Sequence, residues 1–142
     1  MKKIILWVLP LFTLLFVTSC KSAPIVWDDT IPLEQTAGVY FYSMLPTAFN
    51  GVGVKWKPYK MIRIPAGDAK FTVNVISDRY TINDAIFSFR FDSGTDYKIG
   101  FGTREVAGGR LIVGASVYKG VKSPKESDFI DFIPFENKNP SK

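Results

Sequence analysis

The side chains that could carry out chemistry are few. The chain has one cysteine, Cys20, and no histidine. Structural zinc sites draw on cysteine and histidine, and histidine is the most common general base, so the residue inventory argues against zinc sites and histidine-based catalysis. Ser116 lies in the sequence GAS and has no histidine to activate it. The inventory therefore argues against thiol catalysis and histidine-activated serine catalysis downstream of Cys20, and it leaves a Ser-Lys enzyme open.

Carboxylates are the other candidate catalytic groups. They occur as pairs at Asp28 and Asp29, Asp92 and Asp96, and Asp128 and Asp131. Glycosidases need two carboxyl groups facing each other across a cleft, and a Ca²⁺ site needs more oxygen ligands than the DSGTD segment supplies. Carboxylates beside a glycine commonly bond to the backbone of a turn. We therefore predict turn-stabilising carboxylates, no metal ion and no enzyme, and a carboxylate-only hydrolase stays open as a third alternative.

Cys20 ends a segment that has the features of an export signal. Two lysines precede an apolar run from residue 4 to residue 17, and Thr18 and Ser19 follow it. A basic start, an apolar segment of about 7–15 residues and small residues before the cleavage point define a secretory signal peptide. The run is shorter than the roughly 20 residues that a membrane span needs. Residues 1–19 are thus predicted to be a signal peptide.

The VTSC sequence, residues 17–20, resembles the lipobox of bacterial lipoproteins: an aliphatic residue, two small residues and a cysteine. The resemblance implies that the thiol of Cys20 receives a diacylglycerol, and that cleavage before Cys20 makes it the first mature residue. Two or more acyl chains, such as palmitate, hold a protein stably on a membrane. In this family, lipoproteins that stay in the inner membrane carry Asp after the cysteine, whereas this chain has Lys21. The resemblance therefore favours the outer membrane if the cell has two membranes. The alternative is an ordinary signal peptide with an incidental cysteine.

The charge of the exported part gives no sign of a nucleic-acid partner. The whole chain has a formal charge of +5. Without the two lysines of the signal peptide it has 16 basic and 13 acidic residues, which gives a formal charge of +3. A nucleic-acid reader normally has a concentrated basic face, whereas these basic residues are dispersed. We expect the covalent diacylglycerol to be the only added group, with no other cofactor and no nucleic acid.

Apolar and polar residues alternate in short segments beyond residue 37. These segments are 39–44, 52–57, 61–64, 71–77, 87–91, 97–104 and 111–118, and 127–136 fits a last edge strand or a short amphipathic turn. A period of two residues indicates β-strands, and Gly108-Gly109 between two such segments indicates a hairpin. We therefore predict an all-β fold, an antiparallel β-sandwich of about seven to eight short strands, with a small β-barrel as the alternative.

Two segments resemble a known kind of domain. RIPAGDAKFTVNV (63–75) and FSFRFDSGTDYKIG (87–100) are similar to small bacterial surface and lipoprotein β-domains of the PEGA-like kind, although Ala66 replaces their usual acidic residue. The resemblance implies a transthyretin-like or immunoglobulin-like sandwich without catalytic residues. The predicted layout is an acylated Cys20 and tether over 20–36, the β-domain over 37–136 and a polar tail over 137–142.

The aromatic residues divide into core and surface candidates. Alternation assigns five phenylalanines to the core: Phe71, Phe87, Phe89, Phe91 and Phe101. The residues that fit the apolar faces less well are Tyr40, Tyr42, Trp56, Tyr59, Tyr80 and Tyr118. Aromatic residues beside cations are typical of binding surfaces, and WKPYKMIR (56–63) is the densest such segment. The predicted interaction surface therefore consists of Trp56, Lys57, Tyr59, Lys60 and Arg63.

These observations together predict a lipid-anchored β-domain of the cell envelope. We expect a non-enzymatic binding or structural module that contacts an envelope protein or a surface polymer. The alternative is a small barrel that binds a lipid or a sugar in an apolar pocket.

Overall fold

The computed structural model describes residues 30–56, 60–120 and 125–137, which form two packed β-sheets. The strands are β1 Thr36–Tyr42, β2 Met44–Phe49, β3 Val52–Gly53, β4 Met61–Pro65, β5 Gly67–Ile76, β6 Thr81–Phe91, β7 Asp96–Val106, β8 Arg110–Lys119 and β9 Phe129–Pro134. Sheet A has the strand order β4-β1-β7-β8-β9, and sheet B has the order β3-β2-β5-β6. The predicted all-β sandwich is confirmed. The β-barrel alternative is wrong, because each sheet ends in two edge strands.

Several predicted features lie outside the described residues. They are the signal peptide, Cys20, the tether up to residue 29, and the tail beyond residue 137. Within the part of the chain that the structure describes, no helix is long and apolar enough to cross a membrane. The helical elements found there are two single 3-10 turns, Leu33–Gln35 and Glu126–Asp128.

One strand pair departs from the predicted antiparallel arrangement. β1 and β7 run parallel in sheet A, whereas the other paired strands of the described residues are antiparallel. Adjacent strands joined by a tight hairpin must be antiparallel, but β1 and β7 are separated by five strands and by crossings between the sheets. No hairpin therefore sets their relative direction.

The segment 39–57 folds differently from its predicted pattern. The predicted strand 39–44 is two strands, because Ser43, with a φ of 58°, turns the chain from sheet A into sheet B. β2 continues beyond the predicted segment and contains Pro46, which a strand tolerates at a bulge such as that between Pro46 and Ala48. The predicted strand 52–57 shortens to Val52–Gly53, and the side chain of Val52 is exposed rather than inward.

The β7–β8 hairpin forms as predicted. Gly108 and Gly109 have φ values of 87° and 72°, a left-handed conformation that glycine adopts without steric cost. The pairing of β7 with β8 ends at Val106 and Arg110, next to this turn. This hairpin joins the two long strands that carry most of the outer face of sheet A.

The core between the sheets is centred on Phe71 of β5. Its ring is fully buried and contacts Phe41 of β1 at 5.1 Å, Phe87 of β6 at 5.6 Å and Trp56 at 6.0 Å between centroids. Of the five phenylalanines assigned to the core, three are fully buried, and Phe89 and Phe101 pack against the same cluster while remaining partly exposed. Ring contacts thus join both sheets and the segment between β3 and β4.

We expect Phe71→Ala to destabilise the fold by about 3–5 kcal/mol, because the surrounding rings cannot fully close the cavity it leaves. The measurement is the free energy of unfolding from urea denaturation followed by tryptophan fluorescence. Ile76→Ala, which truncates an apolar side chain of the same strand that is 72% exposed, should cost about 1 kcal/mol or less. Similar losses in both variants would contradict the central position of Phe71.

Candidate binding surface on sheet A

The outward face of sheet A carries a second group of aromatic side chains, separate from the core. Register places Tyr40, Lys98, Tyr118 and Phe129 in one row across β1, β7, β8 and β9. The neighbouring row contains Tyr42, Gly100, Ser116 and Phe132. We call the five rings on this face the outer aromatic layer: Tyr40, Tyr42, Tyr118, Phe129 and Phe132.

Glycines in β7 and β8 let these rings lie flat on the sheet. A Cβ atom added to Gly100 would collide with the ring of Tyr42, and one added to Gly114 would collide with the Ile133 carbonyl and come within 2.9 Å of the Phe132 ring. Neither glycine has the positive φ that would itself favour glycine. Their role is therefore to allow close approach of side chains from the neighbouring strands.

Two cations cover rings of the outer aromatic layer. The Nζ atom of Lys98 lies 4.7 Å from the ring centroid of Tyr42 and 6.0 Å from that of Tyr40. The guanidinium carbon of Arg104 lies 4.7 Å from the ring centroid of Phe132. Such contacts contribute about 0.5–1 kcal/mol at exposed sites, and they hold each cation at a fixed place above the sheet.

Tyr42 and Tyr118 interact at the centre of the face. Burial raises the pKa of the Tyr42 hydroxyl above its usual value, and the hydrogen bond and charge interaction with Tyr118 raise it further. The Tyr42 hydroxyl therefore remains protonated at neutral pH. A tyrosine hydroxyl can donate and accept hydrogen bonds, including with a ligand that approaches the sheet.

An open cleft of about 430 Å³ lies beside this tyrosine pair. It is lined by Tyr42, Tyr118, Phe129, Lys125 and Glu126. The wall formed by the Glu126–Asp128 turn is fixed, since a carboxylate oxygen of Asp128 accepts a hydrogen bond from the Lys125 backbone N–H at 2.8 Å. The cleft thus combines ring surface, two hydroxyls, a cation and a carboxylate.

The interaction surface predicted around residues 56–63 lies partly outside the described residues. For Trp56 the prediction is wrong: its side chain is 7% exposed, and its ring packs in the core 5.1 Å from Phe41. Lys57 and Tyr59 lie outside the described residues, and Lys60 is exposed. Arg63 lies on the outer face of sheet A, at the edge opposite β9.

Arg63 forms an ion pair across a glycine. Its guanidinium lies 3.3 Å from a carboxylate oxygen of Asp96, and that oxygen is buried and makes no hydrogen bond with the described residues. Gly38 lies between the two residues in the sheet, and a Cβ there would strike the Asp96 carboxylate.

The described carboxylates do not all stabilise their own turns, because that of Asp96 pairs with Arg63 of β4. Asp92 and Asp96 flank the turn before β7, as predicted, and the backbone N–H of Asp92 donates to the Tyr97 hydroxyl at 3.0 Å. Asp131 accepts from the Phe132 backbone N–H at 2.7 Å. In residues 30–56, 60–120 and 125–137, no three His, Cys, Asp or Glu side chains come together as metal ligands. Asp28 and Asp29 lie outside these ranges.

The sequence contains a signal for this surface that the prediction did not use. In YKIGFGTR (97–104), positions 98, 100, 102 and 104 share one face, and they read Lys, Gly, Gly, Arg. Two glycines between two cations on one face of a long strand indicate a position where neighbouring side chains lie over the backbone. Tyr40, Tyr42 and Tyr118 fit the apolar faces of their segments less well, and the structure brings them together here.

Comparison of the chain with protein-family models, with curated proteins and with solved structures gives no match in any of the three. The resemblances to bacterial lipoproteins and to PEGA-like domains therefore stay predictions.

We expect Gly100→Ala to destabilise the protein by about 1–3 kcal/mol, because the added methyl group displaces the Tyr42 ring. Urea denaturation provides the measurement. Gly53→Ala is the matched control, since it also lies in a strand without positive φ and its nearest atom would be 4.0 Å away.

A Tyr42→Ala variant distinguishes the collision with the Tyr42 ring from a general destabilisation of β7 by the added methyl group. In a Tyr42→Ala background the Gly100→Ala change should cost much less, since the ring it strikes is absent. An unchanged cost in that background would contradict the packing of Tyr42 on Gly100.

Proposed function

We propose that this chain is a lipid-anchored β-domain of the cell envelope that works as a non-enzymatic binding module. The anchor is the diacylglycerol on Cys20 that the lipobox resemblance implies. The contact surface is the outer face of sheet A. Where the cell has two membranes, we propose the outer membrane as the location, because Lys21 follows Cys20.

The observation that carries this proposal is the outer aromatic layer. Large aromatic residues and fixed cations are typical of binding surfaces, whereas most solvent-facing sheet positions carry small or charged residues. Phe129 is 41% exposed although it lies within contact distance of the Tyr118 ring, 5.5 Å between centroids. A partner that covers this face would bury Phe129 and the open cleft beside it.

The alternative functions receive less support. A ligand-binding barrel would need an apolar cavity, and rings of both sheets occupy the described interior around Phe71. A carboxylate-only hydrolase would need two facing carboxylates, whereas Asp96 pairs with Arg63, and Asp128 and Asp131 accept backbone hydrogen bonds within their own segments. We therefore do not propose either.

The anchor is tested by Cys20→Ala. Because Cys20 is the one cysteine of the chain, a radioactive fatty acid fed to cells should label the wild type and not this variant. The variant should also lose the cleavage before residue 20. Ser22→Ala, two residues away, should keep both. Retained label in the Cys20→Ala variant would refute the anchor.

The surface is tested by hydroxyl-radical footprinting of the wild type. Oxidation of Phe129 and Tyr118 should fall severalfold in intact envelopes relative to the protein purified in non-ionic detergent, since a bound partner excludes solvent. Tyr80, a half-buried tyrosine at the β5–β6 turn, is the control and should react equally in both samples. Equal oxidation of Phe129 in both samples would refute this surface.

A further inference from the structure

The cations on the two outer faces have different partners. On sheet B, the Arg90 guanidinium lies 3.1 Å from the Asp68 carboxylate, and the Lys70 ammonium lies 2.9 Å from the Glu136 carboxylate. On sheet A, Lys98 and Arg104 lie over aromatic rings, and neither takes part in the three ion pairs that the described residues form. The charges of sheet B are therefore neutralised locally, and these two are not.

Lys98 and Arg104 lie on the same face of one strand. They are six positions apart in the sequence, so they lie about 20 Å apart at roughly 3.3 Å per residue. The positions between them on this face are Gly100 and Gly102, which add no side chain of their own. A single compact anion cannot contact both cations at once, but an extended anionic chain lying along β7 can.

The cleft beside Lys98 has the groups that bind sugars. The Tyr42 and Tyr118 hydroxyls, the Lys125 ammonium and the Glu126 carboxylate can donate to or accept from sugar hydroxyls. Phe129 supplies an exposed ring edge beside them. A lipid surface fits less well, because Arg104 lies over Phe132, which is 6% exposed, and Lys98 lies over Tyr42, so these rings cannot insert between acyl chains.

We propose that the outer face of sheet A binds a linear anionic polysaccharide, with Lys98 and Arg104 pairing its acidic groups and the cleft at Tyr42 and Tyr118 holding its sugar hydroxyls. This inference rests on the proposed function, because it takes that face as the binding surface. It adds the chemical class of the partner.

The test compares two probes that differ only in charge: dextran sulfate and unsulfated dextran of the same length. The full chain, purified from membranes in non-ionic detergent, should bind the sulfated polymer and not the neutral one. Lys98→Gln combined with Arg104→Gln should weaken that binding by about tenfold or more, since two charge contacts are lost.

The matched control removes the same two charges from the other face. Lys70→Gln combined with Arg90→Gln has the same composition change, and its binding should stay within about twofold of the wild type. Unchanged unfolding temperatures for both double variants show that the fold is retained. Equal weakening in the two variants would mean that net charge alone attracts the polymer, and it would overturn the proposal.

The remaining outcomes are also decisive. Equal binding of both dextrans, or of neither, would overturn the anionic class. Binding to phosphatidylglycerol vesicles that depends on Lys98 and Arg104, without binding to dextran sulfate, would assign a lipid surface instead. If Phe129 is still protected in envelopes in any of these cases, the proposed function stands and only the ligand class is wrong.

Discussion

The packing of Phe71 between the two sheets is the contact on which the rest of the structure depends. Its ring meets Phe41 of sheet A, Phe87 of its own sheet and Trp56 of the connecting segment. With a single cysteine the chain forms no internal disulfide, so buried apolar surface, at about 25 cal/mol per Å², supplies the main stabilisation. Because rings occupy this centre, the interior between the sheets is filled by side chains of the core.

The two outer faces then differ for a local reason. Sheet B carries polar side chains whose cations and carboxylates pair with each other. Sheet A has glycines at positions 100, 102 and 114, and side chains from neighbouring strands lie over them. Lys98 and Arg104 lie over rings of this face and take part in none of the three described ion pairs. The glycines thus allow a face on which aromatic rings and two cations lie close to the sheet.

Alternation of apolar and polar residues located most strands, because one side of each strand faces the other sheet. It failed where another constraint was stronger. It missed the continuation of β2 through Pro46, because a bulge that tolerates proline is not visible in the sequence. The segment 52–57 alternates but forms only a short strand, and Trp56 is buried beyond its end. The parallel pairing of β1 and β7 depends on the crossings between the sheets, which no local pattern encodes.

The sequence by itself determined the all-β class, most strand positions, the Gly108-Gly109 hairpin and the residue inventory that lacks histidine. It also contains the lipobox-like segment on which the anchor prediction depends. Only the tertiary structure decided which aromatic residues are buried and which form a surface: Trp56 enters the core, whereas Tyr42 and Tyr118 meet on the outer face. The physical reason is that alternation defines two faces of a strand, while strand order and register, set by contacts distant in sequence, define each face's neighbours.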